Sequence, residues 1–203
     1  MKPRTYSCKV AEEYLWAVRR SFQLGLQTGS GGNITLRLGT DRFLTKPTGV
    51  GLVDCGVDDL ILVNGKGEVV EGAAPPTKEI LVHLSLFEVR SDVNAIVHCH
   101  ASYATAYAVR GRTLPLPTIH AKRILGKIPL VEEYPEGSDQ LAYASANAAM
   151  DPNVRGLLMK GHGLIALGGS LRQAQYRAEL MEESARIAWL SQFISQCASE
   201  IAP

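Results

Sequence analysis

Helical patterns stand at both ends of this chain with a run of short strand patterns between them, and that order leaves few ways to layer a fold. "VAEEYLWAVRRSFQLGL" (10–26) puts Val10, Tyr14, Leu15, Val18, Phe22 and Leu26 at helical spacing before the glycine-rich turn "QTGSGGN". At the other end, "SLRQAQYRAELMEESARIAWLSQFISQ" (170–196) is a long amphipathic pattern carrying Leu171, Ala174, Ala178, Met181, Ala185, Ala188 and Trp189 on one side. The middle opens with "ITLRL", "RFLTK", "LILVN" and "EVVEG", of which the last two read as a hairpin turned by Asn64-Gly65 and Gly67. "TKEILVHLSLFEVR" predicts a helix with Thr77 as its N-cap, "AIVHCHA" a strand, and "SYATAYAVRG" a helix ending at Gly111. The stretch 113–139 is punctuated by prolines and reads as irregular. "SDQLAYASANAAM" restarts a helix capped by Ser138, and "VRGLLMKGHGLIALGG" reads as two strands around a Gly-His-Gly turn. A sheet covered by helices, mixed α/β and one domain over 1–203, is the simplest layering.

Composition narrows the class of partner. The chain has 203 residues and 46% of them are hydrophobic, enough for a sizeable core without staples. Basic and acidic side chains number 21 and 20, so the basic excess of a nucleic-acid binder is missing, and any bound anion must be held locally in a pocket. Cys8, Cys55, Cys99 and Cys197 are scattered with no C-x-x-C pair, which suits a reducing compartment. No window approaches the roughly 20 apolar residues of a membrane span, and the first residues lack the apolar core of a signal peptide. A cytoplasmic protein with no membrane partner is the expectation.

Five histidines are present: His83, His98, His100, His120 and His162. Side chains alternate along a strand, so in "VHCH" His98 and His100 share a face while Cys99 points away and packs as a small hydrophobe. An H-x-H pair alone is more often incidental than metal-binding. The remaining histidines raise the odds, because in "KGHGL" glycines flank His162 and let the backbone turn sharply and hold its imidazole out. Three neutral imidazoles suit a borderline-soft ion such as Zn²⁺ and leave a coordination position for substrate.

The motifs "GSGGNIT" (29–35), "TKPTGV" (45–50), "PPTKEILVHLSLFE" (75–88), "IVHCHASYATAYA" (96–108) and "KGHGLIALG" (160–168) follow one another in the order of the class II aldolase/adducin superfamily. Over about residues 10–190 the chain resembles the L-fuculose-phosphate aldolase branch. The resemblance implies a three-layer α/β/α fold with a mostly antiparallel central sheet, and a homotetramer with active sites at subunit interfaces. It implies that His98, His100 and His162 hold zinc or another divalent metal, and that Glu79 is the catalytic acid/base. It also places Gly32, Asn33, Thr48, Gly49, Thr77 and Lys78 around the phosphate of a small phosphorylated sugar.

Such a site suits carbon–carbon bond cleavage beside a ketone. The charge left on the substrate must spread onto oxygen beside a Lewis acid, and a base must take the hydroxyl proton. A fixed phosphate turns remote binding energy into orientation. The implied reaction is cleavage of a ketose 1-phosphate, L-fuculose 1-phosphate or similar, to dihydroxyacetone phosphate and a short aldehyde. Two departures bear on it. The family tyrosine that follows the position of His120 is Ala121 here, leaving Tyr103, Tyr107 or the C-terminal segment as replacements. Thr77-Lys78 stands where the fuculose enzymes more often have two serines, and is similar to the 3-oxo-tetronate 4-phosphate decarboxylases. Ribulose-phosphate 4-epimerases usually carry an aspartate in place of Glu79, and adducin-like assembly modules have lost the metal ligands this chain keeps. His83, on the helical face of Glu79, reads as a packing histidine; His120 could line the pocket or be structural.

Overall fold

The computed structural model describes residues 4–201, with side chains through residue 194, so the Cys197 thiol lies outside the described residues. Strands β1 (Asn33–Gly39), β2 (Arg42–Thr45), β3 (Ile61–Val63), β4 (Val69–Glu71), β5 (Ala95–Cys99), β6 (Leu130–Val131), β7 (Gly156–Met159) and β8 (Gly163–Gly168) form one sheet. Its order is β4-β3-β2-β1-β5-β8-β7-β6. All pairs are antiparallel except β6 with β7. Helices α1 (Cys8–Gln23), α3 (Ser102–Val109), α4 (Ile119–Leu125) and α6 (Leu171–Ile201) cover one face. Helices α2 (Ile80–Val89) and α5 (Asp139–Ala148) cover the other. This is the expected three-layer α/β/α arrangement.

Alternation along the central strands divides two cores. Ala95, Val97, Cys99, Leu164 and Ala166 pack beneath α1, α3 and α6, whereas Ile96, Ile165 and Leu167 pack beneath α2 and α5. His98 therefore faces α2, and Cys99 faces away from it, fully buried. Burial pushes the Cys99 thiol up to about 12 and the Cys55 thiol up to about 11. Iodoacetamide labelling of the native protein, mapped by peptide mass, is expected to leave both unmodified until the chain is unfolded. Native modification of Cys99 would contradict its place in the core.

Local signals account for most boundaries. Ser7, Thr118 and Ser138 each accept a hydrogen bond at a helix N-terminus, from the N–H of Val10, Ala121 and Leu141. Gly67 at φ 79° turns the β3–β4 hairpin, where the Asn64 side chain accepts the Lys66 and Glu68 amides at 3.0 Å each. Gly111 at φ 63° follows α3. Three expectations change. The proline-rich stretch contains α4 and β6, because Thr118 caps a short turn of helix that seats Ala121 and Leu125 in the core. Along the first helix, Phe22 is about half exposed rather than a core residue. Helix α2 starts at Ile80, not beside Thr77: Pro76 bridges to Pro47 and the Pro75 carbonyl accepts the Thr48 amide, so the chain stays extended there.

Candidate active site

The helix start places Glu79 at the N-cap position of α2, with no hydrogen bond from its side chain to its own helix. Its carboxylate turns instead toward the sheet, and is only 3% exposed. Asn33, at the start of β1, donates its amide to Glu79 Oε2 at 2.8 Å. The same oxygen lies 3.1 Å from His98 Nε2, and Oε1 lies 3.3 Å from His162 Nε2. Asn33 and His98 are register partners across β1 and β5, so sheet pairing itself puts both beneath the α2 N-terminus.

His98 ends inside β5, and His100 follows one residue beyond it on the same side. His162 comes from the turn joining β7 and β8, closed by its amide onto the Met159 carbonyl at 3.0 Å. Gly161 takes φ 68° there. A Cβ on Gly163 would sit 2.6 Å from the Cys99 carbonyl oxygen, so only glycine lets this turn lie against the end of β5. Among the described residues, His98, His100 and His162 form a cluster whose ligating atoms lie within 4.8 Å of one another.

Burial disfavours charge on His100 and His162 beside the Glu79 carboxyl. Burial lowers the pKa of His162, and lowers His100 to about 4, with the neighbouring imidazoles adding to both shifts. For Glu79, burial acts upward, but His98, His162, the Asn33 amide and His83 outweigh it and bring the carboxyl down to about 2. His98 Nδ1 lies 2.8 Å from the Leu164 carbonyl, which turns Nε2 toward Glu79. Glu79 Oε1 is also buried without a hydrogen-bond donor. Three imidazole nitrogens and a carboxylate thus fit a divalent metal ion.

Gly32, Asn33, Thr48, Gly49, Thr77 and Lys78 line one cavity of about 360 Å³, which Glu79 and His100 also border. Gly32 at φ 64° and Gly49 at φ 76° bring backbone close to it, with the α2 N-terminus alongside. Lys78 is exposed and sits 3.8 Å from Glu136, a pair worth little to stability. Lys46, which the sequence reading passed over inside "TKPTGV", borders the same cavity. It is 2% exposed, donates to the Ser30 and Val50 carbonyls at 3.3 and 2.7 Å, and has its pKa lowered by burial. A cation held by carbonyls beside a cavity is an anion ligand in waiting.

The other singled-out residues lie elsewhere. His83 is fully buried behind Glu79 with Nδ1 2.7 Å from Thr35 Oγ1, and burial drives it down to about 3, so it is a neutral packing residue. His120 is exposed on α4, 3.4 Å from Arg123, outside the triad. Tyr103 and Tyr107 pack on the α3/α6 side of the sheet, and neither lines the cavity.

Residues 12–189 match the family model of the Class II Aldolase and Adducin N-terminal domain. The chain is 30% identical over 178 residues to the L-fuculose phosphate aldolase of Methanococcus maripaludis, covering 88% of this chain and 95% of that one. It is 33% identical over 189 residues to the L-ribulose-5-phosphate 4-epimerase UlaF of Salmonella paratyphi B, covering 87% and 82%. A solved L-fuculose 1-phosphate aldolase superposes with TM-score 0.86 at 27% identity, covering 93% of this chain and 89% of the other. YgbL of Escherichia coli, a putative aldolase/epimerase/decarboxylase, superposes with TM-score 0.83 at 30% identity, covering 90% and 89%.

Proposed function

The chain belongs to the class II aldolase and adducin family, and from that membership we propose that it is a zinc-dependent sugar-phosphate aldolase. It cleaves a small ketose 1-phosphate of the L-fuculose 1-phosphate type to dihydroxyacetone phosphate and a short aldehyde. The observation that carries this reading is the ionised Glu79 carboxylate, 3.1 and 3.3 Å from two imidazoles, at the edge of a cavity lined by anion-binding groups.

His98, His100 and His162 would hold the metal, with Glu79 beside it. When bound, a divalent ion supplies Lewis-acid stabilisation for the negative charge that develops on the substrate oxygens. The protein does the rest. Gly32, Asn33, Thr48, Gly49, Thr77, Lys78 and Lys46 bind the phosphate and set the reacting carbons near the histidines. Glu79 takes the proton of the hydroxyl next to the breaking bond; the aldehyde departs with its carbonyl formed, and the electron pair stays on the ketose fragment. A proton returned from Glu79 to that carbon completes dihydroxyacetone phosphate.

Tyr103 and Tyr107 face the other side of the sheet, so among the described residues no tyrosine lines the cavity, and the end of the C-terminal segment lies outside the described side chains. Trp189, Leu190, Phe193 and Ile194 are exposed on α6. Both observations support a homotetramer with active sites at subunit interfaces. Among the described residues no helix is long and apolar enough to cross a membrane, and the scattered free cysteines support a cytoplasmic location.

The direct test is release of dihydroxyacetone phosphate from L-fuculose 1-phosphate with and without a chelator. We expect release that the chelator abolishes and zinc restores. No release from fully metallated protein would move the assignment to a 3-oxo-tetronate 4-phosphate decarboxylase. Thr77-Lys78 in the cavity wall favours that second reading, and carbon dioxide release from the oxo acid would mark it.

A further inference from the structure

We propose that Gln27 is a positioning residue that clamps His100 and joins it to the glycine-rich loop of the anion cavity; the inference rests on the metal-site reading above. Gln27 is 2% exposed, in the segment between α1 and β1, and 73 residues from His100. Its Oε1 accepts the backbone N–H of His100 at 2.9 Å, which fixes the orientation of the amide. Its Nε2 then faces the His100 ring, 3.3 Å from Nδ1, and donates to the Thr28 carbonyl at 3.3 Å.

The glycine loop rests on the same amide. A Cβ on Gly31 would lie 2.3 Å from Gln27 Nε2 and 2.9 Å from His100 Nδ1. One on Gly32 would lie 2.4 Å from Gln27 Oε1. Two consecutive glycines therefore let backbone lie directly on this side chain, which sits as a spacer between the loop and the histidine. His98 is anchored through its own ring nitrogen to Leu164, within the sheet. His100 stands one residue beyond β5 and has Gln27 as its anchor.

The expected signature is an order of metal affinities. Gln27→Leu removes the 2.9 Å anchor and leaves the part-buried His100 amide without its side-chain acceptor. Losing an outer partner of a metal ligand typically weakens metal binding ~10–100-fold. Gln27→Glu keeps an oxygen on the His100 amide and sets a second beside Nδ1, where it accepts that ring's N–H and directs Nε2 toward the metal. A space-filling role predicts the reverse order, since leucine suits a buried site and a carboxylate does not.

The experiment is titration of apo-protein with Co²⁺, read by its visible absorption, and with Zn²⁺ in competition, with folding checked by circular dichroism. We expect Gln27→Leu to bind at least tenfold more weakly than wild type and Gln27→Glu to bind as tightly or more so. Gln27→Met serves in place of Gln27→Leu should that variant not fold. Binding by the Leu or Met variant within twofold of wild type, or weaker binding by Gln27→Glu than by either, overturns the role of Gln27. A wild-type protein that binds neither ion overturns the metal-site reading and this inference with it.

Discussion

His98→Ala is expected to abolish metal binding and turnover together. His98 is the pivot of the cluster: 1% exposed, tied to the Leu164 carbonyl through Nδ1, and within 3.0 Å of His100 Nε2 and 3.1 Å of Glu79 Oε2. Removing it takes the most buried, strand-anchored imidazole out of the donor set and leaves His100 and His162 beside Glu79 without the ligand that joins them to the sheet. Two measurements check the result. Metal content after dialysis should fall to background, with dihydroxyacetone phosphate release. Added zinc should raise the melting temperature of the wild type, since a ligand at 100 times its Kd stabilises by about 2.7 kcal/mol, and leave the variant unmoved. An active, metal-replete His98→Ala would remove His98 from the ligand set.

Glu79→Gln separates holding the metal from moving the proton. The replacement keeps the shape, and its amide oxygen can still accept from Asn33, but it loses the charge and the base. Metal content should stay near wild type while kcat falls about 10²–10⁴-fold, the usual share of a general acid/base. The pH dependence of stability adds a second readout. The folded Glu79 carboxyl is depressed to about 2 from its ordinary 4.5. A depressed acid contributes stability that is present above 4.5 and is lost as pH falls toward 2. The metal-free wild type should therefore lose stability across that window more steeply than Glu79→Gln. Unchanged turnover in the variant would exclude Glu79 from the chemistry; parallel acid denaturation of the two would show that its charge is not held by the imidazoles.

The comparison of His98 with Gln27 shows what could be read in the chain and what could not. His98, His100 and the opposed Cys99 follow from the two-residue period of a strand, a local rule needing no knowledge of neighbours. Gly161 and Gly163 flag the His162 turn for the same kind of reason. Gln27 and Lys46 carry no such mark, because an amide or an amine is as common on a surface as beside a cavity. The late start of α2 was hidden as well, since Thr77 is a sound local cap. What displaced it is the pairing of the proline segment with the exit of β2. Helix α4 was obscured by the prolines before it, although Thr118 was a cap signal within reach.

By itself the amino-acid sequence determined the layered α/β class, the faces of the strands and the three histidines with a common chemistry, because periodicity and backbone freedom act within a few residues. Only the tertiary structure decided that those histidines meet Glu79. That meeting needs β5 to lie between β1 and β8, antiparallel to both, with the N-terminus of α2 above Asn33. Strand order is set by burial shared among segments more than 60 residues apart, and no local pattern in the chain carries that information.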